Sequence, residues 1–499
     1  MRIALDVSSL DMRGVNRYGF APLPDPELLA FGSSTASGIS SAGFAAAERM
    51  RSRLLRAMEK EGADEVYARE IERARRELTS LCGLSNMSGL DVVMAVSGTD
   101  VHLIAAHLFA ADPMDATQHT DHVLAVMVGA AETGSGVPLA LAARHRNGHS
   151  ASAEMAEVAS MEVVSVPVRH ADGRPRSGAD VDAEFSARVR AGCAGGHQVL
   201  LVLCDVSKSG LIAPSPACAI ALKDEFPHQV EVLVDACQFR MGVQTLRAYL
   251  EQGFMVALTG SKFLGGPPFS GALLLPHVIA ARLRARPVPR ALLNHSVAAD
   301  WPHGWKTYEL GATANFGFLI RWEAALHELR AFRAVAEEDV ANFLRTFAHS
   351  VRQRLADDAT LVEVPVTALE RKGLSGVACW DTHQTIFPFL LLHGDGLPLS
   401  RDETMQVYRS LQKDLGKYAG AEVQPQCPRL RCQLGQPVAV GERDGISVSA
   451  LRLCVSARLI VEAGQAGGED RVIAQAMRVL DKTVWLARTA RHAAALGIT

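Results

Sequence analysis

Paired cysteines are missing from this chain: its nine cysteines are scattered, odd in number and nowhere in a CxxC spacing. That excludes a disulfide framework and a structural zinc site, so no metal is expected and the thiols are read as reduced. Also missing are GxxxxGKS/T, a GxGxxG after a strand, GxSxG and HExxH, which removes the commonest nucleotide, serine-hydrolase and zinc-protease signatures. No window approaches the roughly 18 uninterrupted apolar residues of a spanning helix. The opening MRIALDVSSLDMRG carries charge where a secretory signal has its apolar core, so a cytoplasmic protein without a membrane partner is expected. A basic excess is absent too: a net charge of −3 argues against a nucleic-acid partner.

What is there is a chain of 499 residues, long enough for two domains or one large and one small. Phe44 to Lys60 and Glu65 to Leu81 have helical spacing of apolar residues among many charges, the pattern of amphipathic surface helices. From Leu90 to Leu275 short apolar runs (DVVMAVSG, HVLAVMVGAAETG, HQVLLVLCDVSKSG, QVEVLVDACQ, FMVALTGSK, SGALLLP) alternate with helix-length segments. Nearly continuous Val, Leu and Ala predict strands buried on both faces of a mainly parallel sheet, an α/β layer fold. A long helical segment from Phe318 to about Leu355 follows, then LVEVPV, QTIFPFLL and ALRLCVSARLI as strands and a final amphipathic helix from Val472. The expected division is residues 1–82, packing partly on a small domain, 83–317 as the large α/β domain, and 318–499 as a linking helix and smaller α+β domain.

In open α/β sheets ligands bind at the carboxyl ends of the strands. Those ends read Ser97-Gly98-Thr99-Asp100, Glu132-Thr133-Gly134, Asp205-Val206-Ser207, Asp235-Ala236-Cys237-Gln238 and Ser261-Lys262. Gly98 and Thr99 open a helix, where free N–H groups and the dipole favour a phosphate, though Thr99 or Asp100 can equally serve only as a cap. Asp235 ends an apolar run and, if buried, needs a cation or hydrogen bonds. Lys262 stands between small hydroxylated residues and the turn LGGPPFSG. A phosphate cradle, a buried aspartate for a pyridinium nitrogen and a lysine for a Schiff base are what a protein supplies to hold pyridoxal phosphate.

VDACQ followed by TGSKFLGGPPFSGALLLP resembles the class V aminotransferase and cysteine desulfurase group of fold type I pyridoxal-phosphate enzymes, roughly over Gly83 to Asn315. The resemblance implies that Lys262 forms the Schiff base and moves protons at the substrate α-carbon, and that Asp235 keeps the ring nitrogen protonated. It implies Gln238, with Ser207 beside it, on the ring's phenolic oxygen, and Gly98 and Thr99, joined by Thr259 or Ser261, on the phosphate. YELGATANFG is similar to the family's segment that reaches a neighbouring subunit, which nominates Thr313 and a homodimer. Arg452 in LRLCVSARL matches the arginine that grips the substrate α-carboxylate. Two departures stand out: the ring-stacking histidine is replaced in GAAETGSG, leaving Thr133 or a neighbour to cover that face, and Ser261 precedes the lysine in place of histidine.

The implied activity is that of an enzyme acting on a small amino acid, with aminotransferase chemistry favoured. Two alternatives remain open. One is a cysteine desulfurase or C–S lyase using Cys432, in the polar, loop-like QPQCPRLRCQLGQPV where Arg429 and Arg431 would favour thiolate. The other is a pyridoxal-phosphate-binding protein without turnover. Trp305 and Tyr308 in WPHGWKTY are expected at a pocket mouth or a dimer interface.

Overall fold

The computed structural model describes residues 23–32, 38–111, 123–142, 161–374, 379–418 and 427–490. A short strand, β1 (Leu29–Phe31), precedes α1 (Ser41–Met58) and α2 (Ala63–Leu81). Ser40 caps α1 by accepting from the Gly43 N–H at 2.8 Å, and Asp64 and Glu65 sit at the positive end of α2. α2 is amphipathic, but its inner face is built into the core. Val66, Tyr67, Ile71 and Leu78 are buried, and Arg75 Nε donates to Val92 O at 2.8 Å.

The central runs form seven strands: β2 (Asp91–Ala95), β3 (Val123–Val128), β4 (Glu162–Val166), β5 (Gln198–Cys204), β6 (Val230–Ala236), β7 (Met255–Thr259) and β8 (Gly271–Leu275). Their order is β2-β8-β7-β6-β5-β3-β4, with β8 antiparallel to both its neighbours and every other pairing parallel. Successive residues point to opposite faces and both are covered. Leu201 and Leu203 join the core under α5 (Gly178–Ala194), α6 (Pro216–Glu225) and α7 (Val243–Glu251), while Leu200 and Val202 join the core under α3 (Gly98–Ala110) and α8 (His277–Arg284). The short α4 (Val137–Leu141) extends the second layer. β4 was not expected: Glu162 and Ser165 interrupt the apolar run because it is an edge strand, partly open on its faces.

The single helix expected over 318–355 is two, α9 (Phe316–Arg333) and α10 (Glu337–Ala356). The break is electrostatically sensible, with Arg330 and Arg333 in the last turn of α9 and Glu337, Glu338 and Asp339 in the first turn of α10.

A second sheet combines β1 with β9 (Leu361–Glu363), β10 (Ile386–Leu391), β11 (Cys432–Arg443) and β12 (Ile446–Cys454) in the order β1-β11-β12-β10-β9. β1 runs parallel to β11, Leu29 opposite Cys432, and the other pairs are antiparallel. Helices α11 (Arg401–Ser410), α12 (Ala457–Ala463) and α13 (Gly468–Thr489) complete this part. The loop expected around Cys432 is therefore corrected to a strand. Gly435, Pro437 and Gly441 obscure it in the sequence because the register slips between Gly435 and Val438 and between Ala439 and Gly441, irregularities that tolerate such residues. No helix among the described residues is long and apolar enough to cross a membrane.

Candidate active site

β6 ends in Asp235 and Ala236, and the Asp235 carboxylate is buried where the sheet meets α3. Thr133 Oγ1 donates to its Oδ2 at 2.7 Å, the Cys237 N–H donates to Oδ1 at 3.2 Å, and His102 Nε2 lies 3.5 Å from Oδ2. Burial alone pushes such a group towards its neutral form. Here the charges of His102 and Lys262 and the Thr133 hydroxyl outweigh it and hold Asp235 well below the usual carboxylate range. A buried, ionised carboxylate at a strand end is thus ready to meet a cationic N–H.

His102 was not singled out from the sequence. It lies one turn into α3, fully buried, with Nδ1 2.6 Å from Gly98 O. A carbonyl only accepts, so Nδ1 carries a proton, and Nε2 faces the Asp235 carboxylate. The signal was present: a histidine within VHLIAAH, on a helix whose buried residues are apolar apart from His102 and His107.

Lys262 follows β7 and is half-buried, and among the described residues its Nζ makes no hydrogen bond. The chain after it folds back tightly. Gly265 has φ +76°, and a Cβ on Gly266 would lie 2.7 Å from Gly260 O and 2.8 Å from Ala325 Cβ. Only glycine lets that backbone pass between β7 and α9, which answers why the lysine precedes LGGPPFSG.

Gly98 starts α3 against the ends of β6 and β7: a Cβ there would lie 2.9 Å from Cys237 Sγ and 3.0 Å from Thr259 Cγ2. Ser97 caps the helix by accepting from the Asp100 N–H at 3.2 Å. Thr99 lies beside Gly136, whose Cβ position is 3.1 Å from Thr99 Cγ2. Thr259 turns its hydroxyl to Cys237 O at 2.6 Å, whereas the buried Ser261 makes no side-chain hydrogen bond among the described residues. Gln238 is buried at the end of the same loop, its carbonyl accepting from the Phe263 N–H at 3.4 Å.

Several expected positions are differently employed. Thr133, expected over a ring face, spends its hydroxyl on Asp235. The Ser207 hydroxyl donates to Glu132 Oε2 at 2.6 Å and accepts from the Leu211 N–H, so it is locked into its own loop. Glu132 is the hub of that loop, also accepting from Ser209 Oγ at 2.7 Å, the Ser209 N–H at 3.1 Å and Arg169 Nε at 3.3 Å. Arg452 is 2% exposed; its Nε and Nη2 donate to Gln436 O at 3.0 and 2.9 Å and its Nη1 to Lys208 O at 3.0 Å. Its fork is not held open.

Cys432 is fully buried, its Sγ 3.7 Å from Leu411 O, and burial pushes the thiol up to about 12 despite Lys482 nearby. That is the opposite of the thiolate expected there. Arg431 instead pairs with Asp25 and Glu27. Trp305 is likewise core and not pocket mouth, donating to Asp91 Oδ2 at 2.7 Å and packed on Trp301, while Tyr308 is exposed. Thr313 is exposed.

No protein-family model matches the sequence, and no curated protein matches it. Solved structures do match. Oryza sativa TDC with pyridoxal phosphate (PLP) is 16% identical over 93% of this chain and 84% of that one, with a TM-score of 0.54. Mouse CSAD is 14% identical over 93% of this chain and 84% of its own, at 0.53. The cysteine desulfurase CsdA of Escherichia coli is 16% identical over 90% of this chain and 94% of its own, at 0.50. At such identities the likeness is one of architecture, and the architecture is that of the fold type I PLP enzymes.

Proposed function

We infer that this chain is a PLP-dependent enzyme, class V aminotransferase-like, that acts on a small amino acid through Lys262. The observation that carries the reading is a convergence at one edge of the sheet: the ionised Asp235 at the end of β6, the uncommitted Lys262 after β7 and the N-terminus of α3 at Gly98 and Thr99. The residues fit the cofactor in kind. A primary amine with no hydrogen bond among the described residues suits an aldehyde, a buried carboxylate suits a protonated ring nitrogen, and backbone N–H groups at the start of a 13-residue helix suit a phosphate.

When bound, the cofactor supplies an electron sink for charge released at the substrate α-carbon. Asp235 holds the proton on the ring nitrogen, and Thr133 and His102 keep that carboxylate ionised and oriented. With the cofactor bound, Lys262 would be the residue that moves the proton of the substrate α-carbon, the proton movement that transamination, the favoured chemistry, requires. Residues 83–317 serve as the cofactor domain, with 1–82 and 318–499 forming the rest, and the active unit is a homodimer in which Thr313 reaches the neighbouring copy. The desulfurase alternative loses ground, because Cys432 is buried in a strand with a protonated thiol.

The test is the visible absorption spectrum of the purified protein before and after borohydride, with the modified peptide mapped by mass. A band that disappears on reduction, with a pyridoxyl group on Lys262, is the expected result. A protein that stays colourless with added PLP overturns the reading. Attachment at Lys262 with a spectrum that no amino acid alters would mean a binding protein without turnover.

A further inference from the structure

The loop after β5 carries a lysine that the proposed chemistry leaves unused. Lys208 is half-buried, and its backbone is fixed on both sides: its N–H donates to Glu132 O at 2.8 Å and its carbonyl accepts from Arg452 Nη1 at 3.0 Å. Its neighbours in the loop are equally held, Ser207 and Ser209 by Glu132, and Ser209 Oγ by Arg169 Nη2 at 3.0 Å. Among the described residues the Lys208 ammonium has no hydrogen bond or ion pair. The loop lies against the candidate site, since Cys204 pairs with Asp235 across β5 and β6 and Glu132, which holds the Lys208 N–H, adjoins the Thr133 that meets Asp235; burial with the charges of Arg452 and Lys262 brings the Lys208 pKa down to about 8 against the pull of Glu132. Glu132 is already saturated by Ser207, Ser209 and Arg169. A half-buried ammonium beside two other cations is an unfavourable arrangement unless an anion completes it.

Arg452 is poorly placed to be the main contact for that anion. Its guanidinium is folded over the backbone of β11, so close that a Cβ on Gly435 would lie 3.1 Å from its Cζ. Three of its N–H groups are committed to the carbonyls of Gln436 and Lys208. What Arg452 does is tie the Lys208 loop to the second sheet.

We propose that Lys208 is the cation that receives the carboxylate of the amino acid handled at Lys262, and that Arg452 is a positioning residue that holds the Lys208 loop in place. The proposal rests on the reading of Lys262 as the cofactor lysine. It specifies the substrate class as a free carboxylate, not an ester, amide or simple amine.

The experiment is trace acetylation of the PLP-loaded protein with acetic anhydride, the Lys208 peptide being quantified by mass in the presence of propionate, succinate or propionamide. Propionate at saturation is expected to slow labelling of Lys208 about tenfold and propionamide not at all, since only the anion gains a charge-assisted hydrogen bond. Protection by succinate alone also supports the site and assigns it to a distal carboxylate. Absence of protection by either carboxylate, in protein that carries PLP on Lys262, overturns the proposal. If the chain takes up no PLP, it is the cofactor reading that fails, and labelling with and without the carboxylates still reports on Lys208. With L-alanine and L-aspartate as probes, followed through the visible spectrum, Lys208→Gln is expected to weaken binding about 10- to 100-fold and Lys208→Arg to restore most of it. A merely structural lysine would shift Tm in both variants and leave carboxylate binding alone.

Discussion

The two sheets use their buried polar groups in different ways. At the carboxyl ends of the seven-stranded sheet, Lys262 after β7 and Lys208 after β5 make no side-chain hydrogen bond among the described residues, unlike Asp91 and Glu231 within its strands, which pair with Arg284 and with Lys223 and Arg282. In the five-stranded sheet Arg452 and Cys432 lie within the strands and meet the chain's own carbonyls, Arg452 those of β11 and the Lys208 loop, Cys432 that of Leu411. Burial alone therefore does not mark a site. What distinguishes the first group is that its hydrogen-bonding capacity is left open.

The sharpest way to break that contrast is at Lys262. Lys262→Ala removes the amine and the proton carrier together, so covalent cofactor attachment should vanish and turnover should fall by at least about 10²–10⁴-fold, the range for loss of a positioned acid–base group. The fold should survive, because the side chain makes no hydrogen bond that its removal would orphan. Unchanged turnover, read in the same amino-acid assay, would move the chemistry elsewhere.

Arg452 tests the other half. Arg452→Met leaves the carbonyls of Gln436 and Lys208 without their donors, at about 1–3 kcal/mol for each orphaned group. Denaturant unfolding should show a loss of a few kcal/mol while Lys262 still takes up PLP. If stability is unchanged and only amino-acid binding is lost, Arg452 belongs with the open groups and the contrast between the sheets fails.

His102 lies on the boundary, a buried group that serves a site residue. Asp235 has a folded pKa below its unfolded value, so the stability it contributes is complete above the unfolded value near 4 and is lost as pH falls through the folded one. His102→Leu removes the main opposing charge, so the Asp235 pKa rises towards normal. The stability that His102 lends through Asp235 should then be lost at neutral pH, about 1–3 kcal/mol by denaturant unfolding, and the difference from the parent protein should narrow as pH falls below about 4. A difference that stays the same at neutral and acid pH would mean that Thr133 and Lys262 hold the carboxylate unaided.

The same contrast explains what could be read without coordinates. Strands buried on both faces are uninterrupted runs such as VEVLVDA, and a parallel layer places their ends on one edge, so the strand-end list that includes Asp235 and Lys262 could be drawn from sequence. The second sheet gave no such signal at β11, where bulges admit Gly435, Pro437 and Gly441. Reading that stretch as a loop made Cys432 look exposed and reactive. The supporting residues were hidden for another reason. His102, Arg169 and Lys208 owe their place to contacts far apart in the chain: His102 meets a carboxylate 133 positions on, and Arg169 a serine 40 positions on. Residue type and spacing carry no trace of the partners, even where, as for His102, a polar residue in an apolar helical run marks the position.

The smallest expected effect is at Cys432, and it decides between two chemistries. A thiol held up near 12 stays protonated at pH 7, and it sits fully buried in a strand. Cys432→Ala should cost about 1 kcal/mol of stability for the volume removed and leave the rate on any amino acid unchanged. Iodoacetamide should not modify Cys432 in the folded protein, whereas it should after unfolding. Rapid alkylation of the native protein at Cys432, accompanied by loss of sulfur release from cysteine, would require β11 to open during the reaction and would restore the desulfurase chemistry that the closed strand argues against.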